Sequence, residues 1–438
     1  MSSYDNYKET DKEWIGSVPS HWTPIPVKYY FYMKGRIGWQ GLKSDEFKKE
    51  GPFLVTGTDF ENGKVIWDRC YHITEERFAE DPAIHVKEHD LLVTKDGTVG
   101  KLAYIDEKPE KVSLNSHLLI LRPYNRNVIY NKYTYWYLMS SVFRTYIGLK
   151  QTGSIMESLS QEKIGNFWIG LPPIEEQKAI AEFLDIKTAE IDLQKQNLLQ
   201  QIELLKELKQ ATISNVVVRG INKDVELKAS GVDEIGMIPS TWECVKLKRK
   251  AHIVRGGSPR PIESFLTTGN GYNWIKIGDA VKGSKYITRT EQRIISDGLK
   301  STRLAHKGDL ILSNSMSFGQ PYILDIDGCI HDGWVAFSDF KEIDKEYLFY
   351  TLLSKSLKAQ FEKSVDGSVV SNLNIDKVGT AFVPLPPIDE QIKIAAYLDA
   401  KVIEIDEQIA LQEQQIQLIE ELKQSIISQA VTGKIKVI

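Results

Sequence analysis

The chain has 438 residues, of which 42% are hydrophobic and 26% charged, with a net charge of −4. At about 100–200 residues per domain there is room for two or three domains, each with its own core, and the composition is that of an ordinary soluble globular protein. No run is apolar enough to cross a membrane, the polar, acidic start MSSYDNYKETDKEW argues against a signal peptide, and Cys70, Cys244 and Cys329 lie too far apart for a disulfide framework or a zinc site, which reads as three buried thiols in a cytoplasmic protein.

Residues 1–22 form a leading segment that closes on IGSVPSHW. A globular segment follows over 23–170. In it, DLLVTKDGTVGKLAYI at 90–105 reads as an apolar strand, a polar turn with glycines and a second strand. SLNSHLLILRP carries His117, YNKYTYWYLMSS reads as an aromatic helix, and a loop contains Gly153 and Ser154. Over 171–220 a long helix is expected. Pro172 and Pro173 force extended backbone and stop the preceding strand. Glu175 and Glu176 then occupy the first turn, where the helix dipole favours acids. Its apolar seam is Leu184, Ile191, Leu198, Ile202 and Leu205.

A linker at 221–242 ends on IGMIPSTW, an echo of the leading segment, and a second globular segment covers 243–384. DLILSNSMSFGQPYIL at 309–324 matches the first strand-turn-strand, and His331 in CIHDGWVAFSD aligns with His117 at an offset of 214. IDKEYLFYTLLSK is the matching aromatic helix, and Gly367–Ser368 the matching loop. The chain closes with a second long helix in 385–438. It has the same start, Pro386, Pro387, Asp389 and Glu390, and its seam is Leu398, Val402, Ile405, Ile409, Ile416 and Ile419.

The helical segments 171–210 and 385–424 are identical at 23 of 40 positions without a gap. One duplication therefore built the chain, and its period is far longer than the roughly 20–50 residues of a solenoid repeat. Forty helical residues span about 60 Å, longer than a globular domain needs. Thr188, Lys195 and Lys209 in the first helix, and Gln412 and Lys423 in the second, fall where the seam wants apolar side chains. A partner helix with related gaps tolerates them best. The two helices are therefore expected to pair antiparallel as a coiled coil with an approximate two-fold axis. The alternative, in which each rod lies along its own globe, stays open. The expected fold class is α+β, with two α/β domains joined by two long helices.

Charge separates the parts. Residues 111–150 hold Lys111, Arg122, Arg126, Lys132, Arg144 and Lys150 and no acid, and residues 245–303 hold 13 basic against 4 acidic residues. The rods lean the other way, with six basic and eight acidic residues over 171–220 and five against nine over 385–438. Basic globes on acidic rods fit a protein whose globes meet a polyanion.

The duplicated proline-led helix, the I-G-x-x-P-S-x-W echo, the glycine-bearing strand turn and the Gly-Ser loop together resemble the specificity subunit of a type I restriction-modification system. RGGSPRPIESFLTTGNGYNWIKIGDA at 255–280, and GRIGWQGL with GPFLVTGTDF in 35–60, are similar to the start of target recognition domains in that family. The resemblance covers essentially the whole chain. It implies two target recognition domains, each reading one half of a split, asymmetric site in double-stranded DNA, with helices that set the gap. It also implies two methyltransferase subunits docked on the repeated regions, carrying S-adenosylmethionine and the adenine methylation. In a restricting complex, motor subunits would bring ATP and magnesium. The chain itself is expected to bind no cofactor and to be non-catalytic.

Recognition then rests on phosphate contacts for affinity and a few base contacts for specificity, each worth about 1–3 kcal/mol. The candidates in the first globe are Arg36, Trp39, Gln40, Lys95, Lys101, Asn115, His117 and Gln151. In the second they are Arg255, Arg260, Lys300, Arg303, Asn314, Ser315, Gln320 and His331. Arg suits guanine and Asn adenine by bidentate geometry. No G-x-x-x-x-G-K-[ST] loop and no [ND]-P-P-[YF] tetrapeptide occurs. The two E-L-K triplets, at Glu207–Lys209 and Glu421–Lys423, read as helix surface. His85 and His89 have the i, i+4 spacing of a metal pair but lack a third ligand. The rival reading is a non-enzymatic coiled-coil spacer whose globes bind proteins.

Overall fold

In a computed structural model the chain divides into two units, Met1–Leu198 with Gln414–Ile438, and Leu199–Glu413. The residues described are 2–36, 42, 46–150, 159–281, 283–314, 319–365 and 373–437.

The first unit is built on an antiparallel sheet of β1 (Phe31–Lys34), β2 (Leu91–Thr94), β3 (Leu102–Tyr104) and β4 (Leu118–Pro123), in the order β3-β2-β4-β1. Side chains alternate between its faces, so one strand feeds two cores. Leu91 and Val93 face a core shared with the aromatic helix α1 (Asn131–Met139), the start of the long helix α2 (Ile174–Arg219) and the end of the last helix, through Tyr133, Ile180, Leu184, Ile427 and Val431. Leu92 faces a second core with Ile120, Val55 and Leu114. Val55 and Leu114 belong to a smaller sheet, in which Lys48–Val55 runs parallel to Val112–Leu114 and antiparallel to Tyr71–His72. Both faces are covered, which is why β2 is buried throughout and apolar up to Thr94.

The second unit repeats this plan. β5 (His252–Arg255), β6 (Tyr286–Ile287), β7 (Leu310–Ser313), β8 (Pro321–Leu324) and β9 (Trp334–Ser338) lie in the order β5-β9-β7-β8-β6, with β6 parallel to β8 as an addition. Leu310 and Leu312 face a core with the aromatic helix α3 (Lys345–Leu353) and the last helix, α4 (Ile388–Val431). Ile311 faces the other core with Ile275 and Ile330.

The tryptophan echo has a physical cause. Trp22 is buried and its indole N–H donates to Glu176 Oε1 at 3.0 Å, while Trp242 donates to Glu390 Oε2 at 3.0 Å. Each I-G-x-x-P-S-x-W segment thus closes over the first turn of a long helix. Tyr133 and Tyr347 repeat a second device. The Tyr133 hydroxyl bridges the carbonyls of Gly170 and Val431, and that of Tyr347 bridges Pro384 and Val217. Each tyrosine therefore ties the strand before one long helix to the end of the other.

Within each unit, α2 and α4 run antiparallel. In the first, Asp192 pairs with Lys423 at 2.5 Å and Lys195 pairs with Glu420. In the second, Lys209 pairs with Asp406 at 2.6 Å and Gln412 donates to Gln201 at 3.2 Å. Asp192–Lys423 and Lys209–Asp406 are the same pair under the 214-residue repeat. The lysines and the glutamine that break the apolar seam each find a polar partner on the facing helix instead of meeting one another, and Thr188 turns its hydroxyl back onto the Leu184 carbonyl at 2.7 Å. Along the seam, Leu184, Ile191, Ile202, Leu398 and Ile405 are buried, and Leu198, Leu205, Val402, Ile409, Ile416 and Ile419 are half-buried. Partly exposed ion pairs add at most about 1 kcal/mol each, so these fix register more than stability. Asp406→Lys should lower the unfolding free energy by about 1 kcal/mol or less, and adding Lys209→Asp should restore it in denaturant melts.

Candidate nucleic-acid interface

The strand-turn-strand forms the same frame in both units. Thr94 Oγ1 accepts from the Lys101 N–H at 2.8 Å, and Ser313 Oγ accepts from the Gln320 N–H at 3.0 Å. Gly100 N–H donates to the Thr94 carbonyl and Gly319 N–H to that of Ser313, both at 2.9 Å. Gly100 and Gly319 have φ of 83° and 70°, a conformation that favours glycine over residues with a Cβ. The residue after the strand is tied on both sides. Lys95 N–H donates to the His117 carbonyl and its own carbonyl accepts from Leu159; Asn314 N–H donates to the Gly333 carbonyl and its own accepts from Leu373.

Those bonds correct the alignment of the two histidines. The structural counterpart of His117 is Gly333, and that of His331 is Asn115. Asn115 N–H donates to Val55 and its carbonyl accepts from Leu118, while His331 N–H donates to Ile275 and its carbonyl accepts from Trp334. The spacing between hairpin and following strand differs between the halves, so the 214-residue offset that holds along the helices is two residues out of step here.

In the first unit, Lys95, Lys101, Asn115 and His117 gather at this end of the sheet. Lys101 and His117 are exposed, Lys95 and Asn115 half-buried, and His117 Nδ1 lies 3.3 Å from Asp96 Oδ2. Arg36 does not join them at the surface. It is 2% exposed and donates to the Leu114 carbonyl and the Ser113 hydroxyl, and burial lowers its pKa. It braces the loop from inside, a role that its position after an apolar strand did not reveal. Trp39, Gln40 and Gln151 lie outside the described residues.

In the second unit, four candidates converge on one residue that sequence reasoning missed, Asp332. Arg255 Nε donates to its carbonyl at 2.9 Å, Asn314 Nδ2 donates to the same carbonyl at 2.9 Å, Arg260 lies 3.4 Å from Oδ2, and His331 Nδ1 lies 3.0 Å from Oδ1. Ser258, also missed, donates to Oδ1 at 2.9 Å. The only sequence signal was the Asp-Gly turn after His331 and the RGGSPR run. Arg255 and Arg260 are exposed, whereas Asn314 is 1% exposed and is a brace instead of a surface reader. Lys300 and Arg303 are exposed on either side of Thr302, whose hydroxyl donates to the Ile330 carbonyl. Gln320 is half-buried in the turn, and Ser315 lies outside the described residues.

Burial acts to raise the Asp332 carboxyl, but the Ser258 hydrogen bond and the charges of Arg255 and Arg260 outweigh it and hold it below the ordinary value. The His331 imidazole is pushed down, first by burial and then by the neighbouring cations, against the pull of Asp332. Its Nδ1 accepts from the Gly333 N–H at 2.9 Å. A histidine pKa lowered by folding contributes stability above its unfolded value and loses it as pH falls below about 6.5. The stability difference between wild type and His331→Ala should shrink on acidification from about pH 7 to 5, measured by denaturant unfolding.

His85 and His89 are not on a helix. His85 stacks on Phe78 at 3.8 Å and contacts its carbonyl, and His89 contacts the Tyr104 hydroxyl at 3.1 Å. Among the described residues, no group of three or more His, Cys, Asp or Glu could hold a metal ion, and no helix is long and apolar enough to cross a membrane.

The family described as the type I restriction modification DNA specificity domain matches residues 40–204 and 239–421. The putative type I restriction enzyme MjaX specificity subunit of Methanocaldococcus jannaschii is 27% identical over 458 residues, covering 99% of this chain and 97% of that one. The EcoBI specificity subunit of Escherichia coli is 24% identical over 411 residues, covering 90% and 82%. The HsdS subunit of Thermoanaerobacter tengcongensis has the same fold, with a TM-score of 0.59 at 18% identity over 95% of this chain and 98% of that one. A chain from a structure of the assembly of a type I R-M system superposes at a TM-score of 0.75, with 16% identity and coverage of 94% and 98%.

Proposed function

The chain belongs to the family of type I restriction-modification DNA specificity subunits, and from that we propose that its two globular segments, 23–170 and 243–384, each read one half of a bipartite, asymmetric DNA site. The observation that carries this reading is one hydrogen-bonded frame dressed with different side chains. Lys101 stands where Gln320 does, Asn115 where His331 does, and His117 where Gly333 does. A shared scaffold with divergent tips suits two readers of different sequences. The paired helices 171–220 and 385–438 set the gap, and segments 1–22 and 221–242 close over their starts.

The chain supplies recognition, and the chemistry belongs to partners. Leu204 and Leu208 in one unit, and Leu418 and Leu422 in the other, are equivalent under the repeat and are each at least half exposed. Exposed apolar pairs one helical turn apart are the usual mark of a docking face. Two equivalent pairs suit two copies of one partner, a methyltransferase subunit carrying S-adenosylmethionine. ATP and magnesium would reside on motor subunits, and the assembly would work in the cytoplasm.

The purified chain with its methyltransferase partner should shift duplex DNA at low salt and release it steeply as salt rises. Leu418→Glu should weaken partner binding by tenfold or more, converted from about 1.5–3 kcal/mol for a buried leucine, read by calorimetry. A chain that binds its partner but no duplex at any salt would favour the protein-binding spacer.

A further inference from the structure

We infer that Asp332 is a positioning residue for the second half-site: its carboxylate holds Arg260 in the pose in which it reads guanine, beside Arg255, which the backbone carbonyl of the same turn holds. The inference rests on the bipartite reading proposed above.

Asp332 is an acid among cations at the end of a globe that would face phosphates, where a free carboxylate would weaken binding. Its contacts give it another use. The backbone carbonyl takes Nε of Arg255, and among the described residues nothing bonds the two terminal nitrogens of that exposed guanidinium. Those two nitrogens are the fork that meets O6 and N7 of guanine in the major groove. The carboxylate is itself fixed by the Ser258 hydroxyl on Oδ1, and Oδ2 lies 3.4 Å from Arg260. Arg260 is 80% exposed in its side chain and has no other ion-pair partner among the described residues. A long, exposed side chain loses much rotamer freedom when it binds a base, and an anchored carboxylate removes part of that cost beforehand.

The groups come from three places in the chain: Arg255 at the end of β5 with Ser258 and Arg260 after it, Asn314 after β7, and His331 with Asp332 before β9. Their convergence is a product of the fold. Among the described residues the first unit has no equivalent. Ser116 follows Asn115 there, and its N–H and hydroxyl both donate to Asn115 Oδ1. The carboxylate of Asp332 therefore has a serine hydroxyl in its place in the other half.

The test uses the full chain with its methyltransferase subunit. Methylation rates are measured on the cognate duplex and on duplexes in which each base pair of either half-site is replaced in turn. Asp332→Asn should reduce discrimination by roughly tenfold to a hundredfold at one or two adjacent base pairs of the second half-site, and leave the first half-site as in wild type. Ser258→Ala, which frees the same carboxylate with little change of volume, should shift the same base pairs less. Arg255→Lys should relax a guanine position in that half. Unchanged discrimination in Asp332→Asn and Ser258→Ala would overturn the inference, as would an equal loss over both half-sites. If the wild-type complex methylates no split site at all, the bipartite reading falls first and takes this inference with it.

Discussion

Trp22→Ala should lower the unfolding free energy by about 3–5 kcal/mol. The indole is fully buried, in edge contact with Tyr133 at 6.4 Å between ring centroids and against the end of the chain at Gly433. Its removal opens a cavity at the point where the leading segment, the start of α2 and the C-terminal segment meet. It also takes one donor from the Glu176 carboxylate, which is 4% exposed and is left with Tyr4 and His21. Trp22→Phe bears on the two effects, since it keeps most of the volume while losing the hydrogen bond, and should cost less, about 1–3 kcal/mol. Denaturant melts of the three proteins check this. Equal stability of Trp22→Ala and wild type would mean that the echo segment is not part of the fold's core. The same substitutions at Trp242 should act in the same direction in the second unit.

The second large effect is on spacing. A four-residue insertion after Leu198 adds about 6 Å of helix, and because four is not a multiple of the seven-residue seam it also rotates everything beyond it. Asp192 and Lys195 before the insertion, and Lys209 after it, could no longer all face Lys423, Glu420 and Asp406. Methylation at the wild-type gap should fall by a hundredfold or more, the order expected when reacting groups are displaced by ångströms. A seven-residue insertion, which keeps the seam in phase, should retain more activity and move it to a longer gap. Methylation at the unchanged gap after either insertion would remove the helices from the mechanism.

Much of this architecture is legible in the sequence because local rules and the repeat agree. Tandem prolines, first-turn acids and a seven-residue apolar period all point to the same long helix, and the structure has it at Ile174–Arg219 and again at Ile388–Val431. The antiparallel pairing is present, but the seam gaps do not face one another: Lys209 reaches Asp406 and Lys423 reaches Asp192, acids beside the seam of the facing helix. The tips of the globes are harder to read, for three physical reasons. Arg36 looks like a surface cation but enters the interior because two groups, one carbonyl and one hydroxyl, satisfy it there. His117 and His331 align by offset but not in space, because a loop of different length precedes the strand that follows each. Asp332 is invisible because its meaning depends on Arg255, Ser258 and Arg260, more than seventy positions earlier.

The central claim is that this chain directs adenine methylation to a split DNA site, with each half set by one globe. Methylation sequencing of DNA from cells expressing the chain with its methyltransferase partner tests it most directly. The expected result is a single asymmetric motif of two short blocks at a fixed gap, fully modified. Replacement of residues 243–384 by the same segment of a relative should change one block and keep the other and the gap. Absence of modified adenines at any split motif, or a change in both blocks on that replacement, would contradict the account.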